Sequence, residues 1–309
     1  MMRNLTRLAF VAAFVTQAAL AQGRAPGPLS VSYSSLFYNF EGTRASRDNS
    51  YAFRDVTLIR HNIGANYVLS PSWNLNFSTS VSRNYAETYI GWAGKLDQSK
   101  LYKDHTEGLN DSVLTARYMK VFTGGWLVLP EGGVSLPTGS VDEKNANNRQ
   151  YNYPYNMQLG SGTFDVPLAL TAMRVGSKLT PYARAQWIKR IGRNSQDYRL
   201  GDEYIGIAGA DYSVKSWFTP GVRGLYRDRD PIAGADKTFG RNALVEYYHH
   251  HQINWDVSAI LKSTVKVSTD PDVKLALEAG LPLVQGLKNY DDVIVKTQYY
   301  GMLNLTGQF

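Results

Sequence analysis

The sequence predicts an all-β protein, a transmembrane antiparallel up-and-down β-barrel of about twelve strands, with fourteen as the alternative count. Three observations predict it. Long segments alternate apolar and polar residues with a period of two; the connections between them alternate between short and long; and the chain opens on an export signal and ends on an alternating strand with a terminal aromatic residue. In "WNLNFSTSVSRNY" (73–85), Trp73, Leu75, Phe77, Thr79, Val81 and Tyr85 share one parity, and Asn74, Asn76, Ser78, Ser80, Ser82 and Asn84 the other. Successive strand side chains point to opposite faces, so this segment has one apolar and one wholly polar face. Either a soluble core or lipid could meet the apolar face, and the rest of the chain decides between them.

The first element is "MMRNLTRLAFVAAFVTQAALAQG": a basic start at Arg3 and Arg7, an apolar stretch from Leu8 to Val15, and Ala19-Leu20-Ala21 as a small-x-small cleavage site. This reads as a secretory signal peptide over 1–21, leaving 22–309 as the barrel domain. Thr16 and Gln17 break the apolar run well short of the ~20 residues a spanning helix needs. Strands follow over 29–40, 53–69, 73–85, 112–122, 126–137, 163–175, 181–191, 203–214, 217–227, 241–250, 255–267 and 293–309. Most run to ten residues or more, whereas soluble strands average ~5–6 and tilted transmembrane strands need ~9–11.

Ser70 to Ser72, Thr123 to Gly125, Gly176 to Thr180, Lys215-Ser216 and His251 to Asn254 are short connections; 41–52, 86–111, 138–162, 192–202, 228–240 and 268–292 are longer and polar. Short periplasmic turns set against long external loops mark outer-membrane barrels, and Trp73, Trp126, Trp217 and Trp255 follow short turns, where a periplasmic aromatic girdle would lie. Within the last loop, Asp270 as N-cap, Pro271 at the first helical position and the stop at Gly280 and Pro282 predict a short helix through about Ala279. The closing "VKTQYYGMLNLTGQF" puts Val295, Tyr299, Leu303, Leu305 and Phe309 on one face. It resembles the signal by which the barrel assembly machinery recognises outer-membrane proteins.

Composition agrees. Removing the signal leaves 288 residues with 31 basic and 26 acidic side chains, an excess too small and too scattered for a nucleic-acid groove. Cysteine is absent, so no disulfide, thiolate or Cys-based metal site exists. The 21 Tyr and 6 Trp exceed ordinary usage, as two aromatic girdles would require. No apolar stretch after the signal is long enough for a spanning helix, which leaves a barrel as the way to cross a membrane.

Asp111 in "GLND" and Asp165 in "LGSGTFD" each open a descending strand, and "LPTGS" (136–140) tops the ascending strand between them. These three pieces are expected to meet at the external mouth. With their order Gly-Leu-x-Asp, Pro-Thr-Gly, Leu-Gly-x-Gly-x-x-Asp, the chain resembles a family of outer-membrane transporter barrels named for the meta-pathway of phenol degradation. The match is clear over about 105–175. The resemblance implies an outer-membrane pore or uptake protein for small solutes, aromatic or apolar compounds among them, without carrying phenol itself over.

Asp111, Thr138 and Asp165 are read first as loop anchors and second as solute contacts. Alternation points Arg60, Arg117, Arg184, Arg190, Arg223 and Lys262 inward, against Glu131, Asp165, Asp211 and Glu246, together with Met119, Leu127, Leu129, Met173, Ile205, Ile207, Leu225 and Ile260. Of these, Arg117, Arg184 and Arg223 are the candidate solute contacts, by acting as a selectivity ring. Tyr151, Tyr153 and Tyr155 are read as packing a loop on the rim before serving as a stacking surface. Only His249 and His251 of the three consecutive histidines could share an ion, no carboxylate accompanies them, and no metal or cofactor is expected. Asp228, Asp230 and Asp236 lack calcium-loop spacing and are read as a solvated loop. Neither His61 nor His105 sits in a nucleophile constellation, so no catalytic residue is assigned. The expected function is a channel or uptake protein for small solutes in the bacterial outer membrane, with lipid, solute and assembly machinery as partners; the alternative is a structural or adhesive barrel acting through its loops.

Overall fold

The computed structural model describes residues 28–42, 51–90, 101–144, 152–153, 155–176, 178–238, 252–269, 272–289 and 295–308. Its strands are β1 (Leu29–Gly42), β2 (Tyr51–Ser70), β3 (Trp73–Ile90), β4 (Leu101–Leu109), β5 (Ser112–Tyr118), β6 (Lys120–Val121), β7 (Trp126–Leu136), β8 (Phe164–Arg174), β9 (Leu179–Ile191), β10 (Glu203–Tyr212), β11 (Phe218–Arg229), β12 (Gln252–Thr269), β13 (Asp272–Asn289) and β14 (Val295–Gln308). β4 and β5 both pair with β3, and β6 continues along β7, so these three segments fill one place in the wall. The wall therefore has twelve positions, all antiparallel, and β1 closes it by pairing with both β2 and β14. Closure removes the two free edges that an open sheet of this length would expose.

Burial is inverted relative to a soluble protein. On β3 the polar face is the buried one: Asn74, Ser80, Ser82, Asn84 and Thr88 are buried, while Trp73, Phe77, Val81 and Tyr85 are exposed. The same holds on β1, where Ser30, Ser32 and Ser34 are buried, and on β13, where Leu277, Leu281 and Leu283 are exposed. An apolar outer face this extensive is stable only against lipid, so the odd parity of 73–85 faces the bilayer and the even parity faces the lumen. Trp73, Trp126 and Trp217 ring the end that carries the short turns; Tyr85, Tyr204, Tyr226 and Trp255 ring the other, all exposed. Twelve residues separate Trp73 from Tyr85, a rise of about 40 Å that a tilt of about 45° reduces to roughly 29 Å, close to a bilayer's apolar thickness.

Four expectations are corrected. The segment predicted as a helix to Ala279 is strand β13, paired with β12 over its whole length. Asp270 and Pro271 lie outside the described residues; beyond them the alternation Val273, Leu275, Leu277 governs, because without β13 both β12 and β14 would be left with an unpaired edge in lipid. Only two residues separate Thr269 from Asp272, so the last short connection lies there and not at 251–254. Trp255, opposite Tyr226 near the long-loop end of β11, accordingly belongs to the external girdle and not the periplasmic one. Finally, 86–111 is not simply a loop: β3 continues to Ile90 and β4 returns beside it. The predicted strand 241–250, with Glu246 and the three histidines, lies outside the described residues.

Candidate lumen and mouth

The mouth is built from the three motif pieces. Asp111 accepts from the Gly139 N–H at 2.9 Å with one oxygen and from the Ser161 N–H at 2.7 Å with the other. The single Ser161 hydroxyl lies 2.8 Å from Asp111 Oδ2 and 3.0 Å from Asp165 Oδ2. Thr163 Oγ1 donates to Asp165 at 2.7 Å, and Arg190 forms an ion pair with the same carboxylate, which is 1 % exposed. Thr138 Oγ1 donates to the Asn110 carbonyl at 2.8 Å. The structure thus brings Asp111, Thr138 and Asp165 into one network whose acceptors are engaged by loop amides and hydroxyls. The glycines of the motifs let the backbones touch: a Cβ on Gly139 would lie 2.7 Å from the Gly160 Cα, and one on Gly160 would lie 2.5 Å from Asp111 Oδ1.

Above this network the loops pack on each other. Val141, Tyr155, Tyr198 and Ile232 form a buried apolar cluster drawn from three loops, with the Tyr155 and Tyr198 rings edge to face at 4.5 Å. Tyr153 and Met157 turn down onto Ala86 and, beside it, Val56, and Thr106 Oγ1 donates to the Met157 carbonyl at 2.8 Å. Tyr153 and Tyr155 are therefore packing residues; Tyr151 lies outside the described residues. Asp236 is not solvated: it is buried and accepts from Asn152 Nδ2 and from Thr238, each at 2.8 Å. Burial pushes the Tyr198 hydroxyl upward. Burial also works against ionised Asp202, but the Lys189 ammonium at 2.7 Å and the Arg190 N–H outweigh it and hold the carboxyl below its usual range.

Within the lumen the two walls differ. β1 to β3 present Ser30, Ser32, Ser34, Asn74, Ser80, Ser82 and Asn84, short and neutral, with the half-buried Arg60 guanidinium of β2 among them. The opposite wall carries most of the charge. Arg117 holds Glu131 through Nε at 2.7 Å and Nη2 at 2.5 Å, and Arg184 reaches the same oxygen at 3.5 Å while donating to Thr171 at 3.1 Å. Glu203 is shared by Arg227 at 2.9 Å, Arg229 at 3.5 Å and Arg190 at 3.6 Å. Arg223 pairs with Glu278 at 3.3 Å, hydrogen-bonds Tyr300, and sits 5.2 Å from that ring's centre; Lys262 pairs with Asp211 at 2.7 Å. Of the three candidate arginines, Arg117 and Arg184 converge on one carboxylate and Arg223 stands apart. Met119, Leu127 and Leu129 form a buried apolar patch with Met173 beside it, nearer the short-turn end.

Sequence reasoning missed Glu203, Arg227, Arg229 and Glu278. Arg227 and Arg229 share parity with Arg223, which was signal enough; Glu278 was hidden by the helix assignment. Among the described residues no three His, Asp or Glu side chains cluster in a metal-binding arrangement. His61 and His105 lie beside Tyr33 and Tyr85, at 6.3 Å and 5.8 Å between ring centres, on the outward parity of their strands.

Residues 46–269 match the family model described as "Putative MetA-pathway of phenol degradation". None of the curated proteins matches the sequence. Among solved structures, the COG4313 outer membrane channel from Pseudomonas putida F1 is 13 % identical with a TM-score of 0.59, covering 93 % of this chain and 97 % of that one. The β domain of the Bordetella autotransporter BrkA is 10 % identical with a TM-score of 0.46 over 92 % and 100 % of the two chains, and the NanC porin is 8 % identical at 0.43 over 90 % and 100 %. The first of these shares the fold.

Proposed function

Given that the chain belongs to the MetA-pathway family of phenol degradation, an outer-membrane barrel family, we propose that it is a channel for small solutes in which Arg117, Arg184 and Arg223 contact the passing molecule. The observation that carries this is the uneven charge of the lumen: two guanidinium groups converge on Glu131 and three on Glu203, facing a wall of serine and asparagine whose charged member is Arg60. Glu131 is outnumbered two to one, and Glu203 together with Asp165 three to two because Arg190 serves both, so positive charge is left over. In a narrow lumen with an effective dielectric near 20, an anion about 4 Å from a guanidinium gains ~4 kcal/mol, against ~1 kcal/mol in bulk water. The residual field therefore favours anionic or electron-rich solutes, aromatic rings included, over cations. Asp111, Thr138 and Asp165, by contrast, are proposed to hold the loops, since their hydrogen-bonding capacity is taken up within the network.

The test is the ion selectivity of the purified protein in planar bilayers. Wild type should prefer anions, and Arg184→Glu, which places a second carboxylate beside Glu131, should move the reversal potential toward cation preference. Unchanged selectivity with intact conductance would take Arg184 out of the solute path. A protein with no conductance at all would fit a barrel that acts through its loops.

A further inference from the structure

Arg60 is a lumenal arginine without a partner. It projects from the otherwise neutral wall, opposite Leu36 on β1 and Ser82 on β3. Its Nε is buried with no hydrogen-bond partner, and among the described residues no carboxylate pairs with its guanidinium. Nearly opposite in the ring of strands is β11, which carries Arg227. Both arginines lie just inside the external girdle, Arg60 level with Ser82 below Tyr85 and Arg227 beside Tyr226. Arg227 and Glu203 stand close enough to act on Arg60 electrostatically, but Glu203 is already shared by three arginines. Two guanidinium groups facing each other across a narrow lumen repel, and a half-buried one without hydrogen bonds has lost hydration with nothing in exchange. A carboxylate between them would remove both penalties: its two oxygens match the planar fork of one guanidinium while its charge offsets the other.

The rings beside Arg60 select what carries that carboxylate. Tyr38 follows Leu36 on the same face of β1 and is therefore the diagonal neighbour of Arg60, within reach of a long side chain. Its ring stacks on Phe40 at 5.5 Å, with 15° between the planes, and meets Tyr300 at 5.3 Å. Arg223 hydrogen-bonds the Tyr300 hydroxyl and lies 5.2 Å from that ring's centre, which holds the ring in place. The carboxylates that act on Tyr38 are themselves engaged: Glu278 pairs with Arg223 at 3.3 Å, and Asp256 accepts from the Ser258 hydroxyl at 2.7 Å. A free cation thus adjoins a set of π faces. An aliphatic acid would satisfy Arg60 and leave the rings unused; a neutral aromatic molecule would do the reverse.

We propose that Arg60 and Arg227, with the rings of Tyr38, Phe40 and Tyr300, form a binding site for aromatic monocarboxylates in the external half of the lumen, Arg60 taking the carboxylate. The proposal rests on the channel reading above and names a solute class for it. The test is binding of 4-fluorobenzoate to the purified barrel in detergent, read by fluorine NMR line broadening, a measurement that needs no conductance. Wild type should bind the probe, and the neutral analogue 4-fluorobenzamide should bind at least tenfold more weakly. Arg60→Gln should weaken 4-fluorobenzoate binding at least tenfold, the loss expected for a hydrogen bond to a charged group. Arg60→Lys keeps the charge but not the fork; it should weaken binding about threefold, and it stays informative should the glutamine variant fail to fold. Cyclohexanecarboxylate, with the same charge and no π face, should displace the probe about fivefold less well than benzoate. Binding that is absent in wild type, unchanged in both Arg60 variants, or matched by 4-fluorobenzamide or cyclohexanecarboxylate overturns the site, while anion preference in bilayers would leave the channel standing. Binding that depends on Arg60 in a protein with no conductance would overturn the channel reading and, with it, the bound acid as a transported solute.

Discussion

Gly160 shows how much a single position carries. Its neighbours are Asp111 Oδ1 and the Gly139 carbonyl, both at distances a Cβ could not tolerate, and both belong to loops that the network must bring together. Gly160→Ala should force those loops apart at a cost of about 1–3 kcal/mol, as overpacking does elsewhere. The barrel should survive, because the ladder below does not involve this contact. The expected outcome is an inserted protein whose 138–163 segment is cut faster by external protease in intact cells than in wild type. Asp111 was legible in the sequence as a loop anchor, whereas its hub, Ser161, was not: a serine in a polar loop has no pattern that distinguishes it until two carboxylates are seen to share it.

At the scale of the element, β13 is the instructive case. Read locally, Asp270, Pro271 and the later Gly280 and Pro282 punctuate the segment as a short helix; read by parity, Val273 to Leu283 alternate as in every other wall strand. Local helix signals are worth about a kcal/mol each, whereas an open edge in hydrocarbon strands a whole row of amides at several kcal/mol per group. The second effect wins. Leu277, outward and about five residues from the short-turn end, lies close to the midplane. Leu277→Arg should therefore cost ~2–4 kcal/mol and impair insertion, measured by urea unfolding in vesicles. Were the segment a loop helix, the substitution would be nearly neutral. The same parity argument on β3 places Phe77 in lipid and Ser80 in the lumen.

For the whole molecule, the relevant quantity is the field that the two unlike walls create. One side is mostly hydroxyl and amide with Arg60 among them, and the other holds arginines in excess of their carboxylates, so the lumen carries a positive field that no single ion pair reveals. Such a field should be screened by salt in the part of the lumen that water fills. As the Debye length shrinks from about 10 Å at 0.1 M to about 3 Å at 1 M, anion preference should diminish steadily. Reversal potentials taken at a fixed concentration ratio across that range would show it; a preference independent of salt would point to direct coordination by a buried guanidinium instead of the summed field.

What the amino-acid order settled by itself was the class of solution: a barrel in the outer membrane, its lipid-facing and lumenal parities, a count of twelve, and every described wall strand except β13. Period-two alternation and loop lengths are local properties, and a hydrocarbon solvent admits few other answers for them. What only the tertiary structure decided was which residues meet. The sharing of Glu131 and of Glu203, and the contact of Ser161 with Asp111, join residues between 13 and 53 positions apart. Contacts of that kind are fixed by strand stagger around a closed wall, and stagger is a property of the ring as a whole, not of any segment within it.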